Sequence, residues 1–147
     1  MLCTKNKQYL FDIDTHELIQ LESPIKEEIT YIAKSTNNQY FLASSHKIYC
    51  AKLNHGRLET IKHPELDNFH IVNYIYFHPE TQMLVIGTLL DGIYLYNIHS
   101  RQLIDVHNGL QDINVNSIIA SKENENEVLI ATNGAGVYKI KTWALTN

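Results

Sequence analysis

The chain has 147 residues, 44% apolar and 19% charged, with a formal charge of −4, a balance typical of folded globular proteins and unlike that of disordered or strongly basic ones. Its lysines and arginines are scattered, so the electrostatic footprint of a nucleic-acid partner is missing. No apolar run approaches the roughly 20 residues of a membrane-spanning helix, and the opening MLCTKNKQYL lacks the pattern of a secretory signal. A segment without membrane contact of its own is expected, whether a whole product or a piece of a larger secreted or anchored protein.

The predicted elements fall into four units. The first opens with MLCT at 1–4, continues through the alternating QYLFDID at 8–14 and ends with LIQL at 18–21. The second adds a leading segment, ITYIAKS at 29–35, before YFLASS at 40–45, KIYCAKL at 47–53 and LETI at 58–61. The third runs VNYIYFH at 72–78, MLVIGT at 83–88, GIYLYNI at 92–98 and LIDV at 103–106. The fourth repeats VNSIIAS at 115–121, VLIAT at 128–132 and GVYKIKT at 136–142. One tyrosine recurs in every copy, as Tyr9, Tyr49, Tyr94 and Tyr138, with steps of 40, 45 and 44 residues. Period-two alternation rich in tyrosine, isoleucine and leucine reads as strand. The dipeptides Asp91-Gly92 and Asn133-Gly134 are strong hairpin signals, because these residue types accept positive φ. No segment keeps helical spacing over ten residues.

Four short antiparallel strands every 40 to 45 residues are the signature of propeller blades. The fold class expected is therefore all-β, a partial β-propeller with units near 1–23, 28–63, 69–107 and 113–147, three complete and one partial. The small residue before each threonine or serine (Cys3, Ala43, Gly87, Ala131) fits sheets that converge on an axis, where bulk would hold neighbours apart. Too few strands to close a ring leave open faces or edges, so self-association is expected.

The stretches LVIGTLLDGIYLYNI, NGLQDINVNSIIAS and VLIATNGAGVYKIK resemble the two-component-regulator propeller repeats in the periplasmic sensor regions of Bacteroides-type hybrid two-component proteins. The resemblance spans essentially the whole chain and is strongest over 69–142; Val85 and Leu129 stand where that repeat carries tryptophan. It implies a periplasmic, non-catalytic sensor segment, part of an inner-membrane-anchored protein, that responds to a glycan-derived ligand. Kinase activity would reside in other parts of such a protein. A generic protein-interaction scaffold and a lactonase- or lyase-like propeller enzyme are the alternatives.

Chemistry-bearing residues are sparse. The eight histidines show no metal-binding spacing, and His16, His46, His55, His63, His99 and His107 read as solvated turn residues. Cys3 and Cys50 read as small buried strand residues rather than a disulfide or metal pair. Asn133-Gly134-Ala135-Gly136 leads into a strand instead of a helix, so it is a hairpin and no phosphate cradle. The tyrosine column reads as packing between sheets. No cofactor and no metal site are expected. Propellers bind through loops at one mouth, and the polar loops 63–70 and 107–114 are the richest there; His63, Asp67, Asn68, His70, His107, Asn108, Asp112 and Asn114 are the candidate contacts for an oligosaccharide.

Overall fold

The computed structural model describes residues 1–36, 38–106 and 113–142. Their architecture is all-β, with four antiparallel sheets in which sequence neighbours are sheet neighbours. The first sheet contains β1 (Leu2–Cys3), β2 (Gln8–Phe11) and β3 (Leu18–Gln20). The second contains β4 (Tyr31–Lys34), β5 (Gln39–Ala43), β6 (Ile48–Asn54) and β7 (Arg57–Ile61). The third contains β8 (Ile71–His78), β9 (Met83–Leu89), β10 (Ile93–Asn97) and β11 (Gln102–Val106), and the fourth β12 (Val115–Ala120), β13 (Glu127–Thr132) and β14 (Val137–Lys141). Two sheets thus have four strands and two have three among the described residues, where the sequence pattern leads one to expect three complete units. No α-helix occurs among these residues; a single 3₁₀ turn, Pro64–Leu66, was not anticipated.

The register makes the repeat explicit. Tyr94 faces Ile86 across β9 and β10, as Tyr49 faces Leu42 and Tyr138 faces Ile130. In the first sheet Tyr9 faces Leu2, so β1, β2 and β3 correspond to the second, third and fourth strands of the larger sheets. Alternation then sends each strand's side chains to two faces, and three apolar cores result. Cys3, Leu10, Leu21 and Ile25 meet Tyr40, Leu42, Ala51 and Leu58 between the first and second sheets. Phe41, Ala43, Ile48 and Cys50 meet Ile75, Phe77, Leu84, Ile86 and Tyr96 between the second and third. Val85, Ile93 and Leu95 meet Val115, Ile118, Val128, Ile130 and Ile140 between the third and fourth. The four sheets are therefore stacked face to face, with the second and third covered on both sides.

From the second sheet on, successive sheets come closest through their leading strands, β4 with β8 and β8 with β12, where β12 also nears β9. Gly87 shows the closeness of approach: a Cβ there would lie 2.6 Å from Cγ1 of Val115 on the next sheet. The requirement for a small residue is thereby explained at this position. Asn73, at a register shift in β8, donates its Nδ2 to the Val115 carbonyl at 2.7 Å and ties the third sheet to the fourth.

The tyrosine column is half-buried instead of fully buried. Tyr49 and Tyr94 lay their rings on the preceding sheet while their hydroxyls reach the edge, to Glu27 at 2.5 Å and Asp91 at 2.8 Å. Cys50 is buried as expected, but Cys3 only partly so, because it lies on β1, an edge strand with no further strand beside it among the described residues.

Candidate ligand-recognition site

The 44–47 turn between β5 and β6 lies at the same end of the stack as loop 62–70, which leads into the third sheet. Phe69 N–H donates to the His46 carbonyl and Val72 N–H to the Ser45 carbonyl, at 2.9 and 2.8 Å. Loop 62–70 is thereby folded against the 44–47 turn, and His46 Nδ1 lies 2.8 Å from the His70 carbonyl. A cavity of about 360 Å³ opens there, lined among others by Lys47, Tyr49, Thr60, Lys62, His63 and Asp67.

The second sheet supplies Tyr49 and Thr60, and the loop that follows it supplies Lys62, His63 and Asp67. Tyr49, near the start of the inner strand β6, stands at the loop end of the sheet. Lys47 Nζ lies 4.7 Å from the Tyr49 ring centroid and 3.6 Å from Asp67 Oδ1, so one ammonium bridges an aromatic face and a carboxylate. Burial, then the hydrogen bond to the Glu27 carboxylate, pushes the Tyr49 phenol up to about 12, so it stays a neutral donor. The same bond, aided by Ser44, holds the Glu27 carboxyl below its ordinary range.

His63 departs from the solvated-turn reading. It is 8% exposed, and its Nδ1 shares a 2.5 Å hydrogen bond with the hydroxyl of fully buried Tyr96. Burial, reinforced by the Arg101 charge, pushes its imidazole below the ordinary value, so the ring is neutral at pH 7. His78 is also buried, 1% exposed, with Nδ1 2.9 Å from Thr81 Oγ1. His16, His55 and His99 are exposed turn residues.

Of the sequence candidates, the structure brings His63 and Asp67 into this cavity. Asn68 and His70 are exposed in the same loop but outside its lining. Asn114 lies one sheet further on, bridged to Leu89, with its carbonyl accepting from Asn133 N–H at 2.9 Å. His107, Asn108 and Asp112 lie outside the described residues. Lys47, Tyr49, Thr60 and Lys62 escaped the sequence reading. Lys47 carried only a weak signal: the matching turn residue is Gly92 in the third unit and Gly136 in the fourth, but Lys7 in the first, so a charged side chain there does not single out the second unit.

The arrangement offers ammonium donors, a phenol, a neutral imidazole and a carboxylate around an aromatic face. Such a set orients a polar ligand through hydrogen bonds. Among the described residues no three or more His, Cys, Asp and Glu side chains converge as a metal ion would require.

No family model matches the chain, and no curated protein does. Solved structures with the same fold include the computationally designed Ika4 protein, with a TM-score of 0.67 at 16% identity over 93% of this chain and 80% of that one. The computationally designed Ika8 protein aligns with the same TM-score, 0.67, at 16% identity, over 94% of this chain and 41% of Ika8. At this identity the likeness concerns the fold alone.

Proposed function

We propose that the four sheets are blades of a β-propeller and that the chain serves reversible recognition of a polyhydroxylated ligand, without turnover. The blade reading is supported by the common strand order, the adjacency of the leading strands and the close approach at Gly87. A place in the periplasmic sensor region of a hybrid two-component protein is what the repeat resemblance implies, and a glycan fragment is the ligand class that goes with it. The observation that carries the recognition reading is the cavity in which Lys47, Tyr49, Lys62, His63 and Asp67 converge at the loop end of the second sheet. Charged donors and acceptors gathered at one loop end suit a polyhydroxylated ligand, whose hydroxyls hydrogen-bond to them.

Calorimetric titration with neutral and uronic-acid oligosaccharides tests the reading. Lys62→Ala and Asp67→Ala, both at exposed positions, should each weaken a bound oligosaccharide roughly tenfold, about 1.4 kcal/mol, and leave the melting temperature unchanged. Asn68→Ala, outside the cavity, should leave affinity unchanged. Equal affinity in all three variants would overturn this site, and substrate turnover by the wild type would overturn the non-catalytic reading.

A further inference from the structure

We infer that the two open faces of the stack are complementary halves of one interface, and that a second copy of this chain covers them head to tail, the fourth sheet of one copy lying on the first sheet of the other. The inference rests on the sheet stack and is independent of the ligand cavity.

Every internal interface joins the same two faces. The face that receives the preceding sheet is built in the second sheet from Leu42, Tyr49, Ala51 and Leu58, and in the third from Ile86, Tyr94, Tyr96 and Leu103. Strand register places Leu2, Tyr9, Phe11 and Leu18 at those positions in the first sheet. Among the described residues no sheet covers them: Leu2 is 51%, Phe11 43% and Leu18 56% exposed, with Tyr9 half-buried, whereas Leu42 and Ala51 are both 0% exposed and Leu58 1%. The opposite face, which receives the following sheet, is built from Ala33, Phe41 and Ile48 in the second sheet, and Val85 and Ile93 serve in the third. In the fourth sheet the matching residues are Ile119, Leu129 and Val137, with Ile119 55% and Val137 68% exposed.

Leu2, Phe11, Ile13, Leu18, Ile119 and Val137 are thus six of the eight large apolar side chains exposed among the described residues, and each has an apolar, packed counterpart one unit along. Exposed apolar surface gathered at such positions marks an interaction face. Because the two faces differ, the first cannot repeat its internal partnership with another first face. It finds that partnership only on a fourth sheet, and this selects a head-to-tail contact over a two-fold symmetric pairing of like faces. One charge interrupts the match. Lys139 stands where Cys50 and Leu95 stand, but it is drawn 3.4 Å from Glu123, leaving its aliphatic stem to lie along the face.

The test is the oligomeric state of the 147-residue chain by light scattering and sedimentation across a dilution series. The wild type should show twice the 17.0 kDa of the single chain, or a larger multiple, and dissociate on dilution. Phe11→Lys/Leu18→Lys blocks the first face and Ile119→Lys/Val137→Lys blocks the fourth; all four positions are exposed, so the fold should survive, with unchanged circular dichroism. Each double variant alone should be a monomer, and an equimolar mixture of the two should form a heterodimer through the one intact pair of faces. A wild type that stays monomeric at high concentration would overturn the inference and leave the faces to further sheets or another protein. Dimerisation of either double variant alone would overturn it in favour of pairing between like faces.

Discussion

Gly87 sets the distance between the third and fourth sheets. With 2.6 Å between an added Cβ and Val115 Cγ1, Gly87→Ala must push the sheets apart or displace Val115, an overpacking cost of about 1 to 3 kcal/mol. Urea denaturation should show that loss, and combining it with Val115→Ala should cost less than the two single losses together, since the contact they share is gone. Gln8 presents the opposite case. It is fully buried, and neither Nε2 nor Oε1 has a partner among the described residues. The matching positions, Ile48 and Ile93, are apolar and buried. Replacing an unsatisfied buried amide by a side chain that fits removes a desolvation penalty, so Gln8→Ile should stabilise the chain by about 1 to 2 kcal/mol; a lower urea midpoint for this variant would show that the Gln8 amide is hydrogen-bonded in the folded chain. His63 carries a pH dependence. Its folded-state value is depressed below the ordinary 6.5, so the unfolded chain takes up the proton more readily. The stabilisation is complete above about 6.5 and is lost as pH falls through the folded-state value. Melting temperatures measured from pH 7.5 down to pH 5 should fall less steeply in His63→Gln than in the wild type.

Hairpin construction explains why threonine or serine follows the small residue in every unit. Thr88 and Thr132 each direct both N–H and Oγ1–H to a carbonyl across the turn, Gly92 and Gly136, the hydroxyl bonds being 2.7 Å long. Ser44 does the same with the Lys47 carbonyl, and Thr4 with that of Lys7. The clamp survives whichever hydroxyl residue is present. Thr88 is fully buried, so Thr88→Val should cost about 1 to 2 kcal/mol by leaving part of the Gly92 carbonyl unsatisfied. Thr132, nearer solvent, should cost less, and equal losses at both sites in thermal melts would contradict the role of burial. These strands were legible from the sequence because period-two alternation and a tyrosine at a fixed register report on two-sided sheets directly. Gly92 and Gly134 take positive φ, 77° and 90°, in agreement with the Asp-Gly and Asn-Gly turn signals. The cross-turn clamp and the Asn73 link to Val115 were not legible, since each depends on where a short polar side chain points once two strands or two sheets have met. Likewise His63 reads as a polar turn residue until Tyr96, 33 positions away, is found against it.

At the scale of the molecule the stack is graded in stability. The second and third sheets bury both faces, and in β9 every residue from Met83 to Thr88 is buried, whereas β3 is exposed throughout. In a linear array stability follows the number of interfaces each unit makes, two for the inner sheets and one for each outer sheet. Opening should therefore start at the outer sheets and reach the inner pair last. Native-state hydrogen exchange in dilute solution, where the outer faces are uncovered, should give the slowest amides in β5, β6, β9 and β10 and markedly faster ones in β2, β3 and β14. The cross-links temper this gradient at particular places: Leu58 N–H bonded to the Glu22 carbonyl at 2.8 Å and Glu22 N–H to the Gly56 carbonyl at 2.9 Å lace the end of the first unit to β7, so the Glu22 amide should be protected well beyond its sheet. Uniform exchange across all four sheets would instead mean that the stack opens as a single cooperative body, with the inner cores too strongly coupled to the outer ones for the interfaces to count separately.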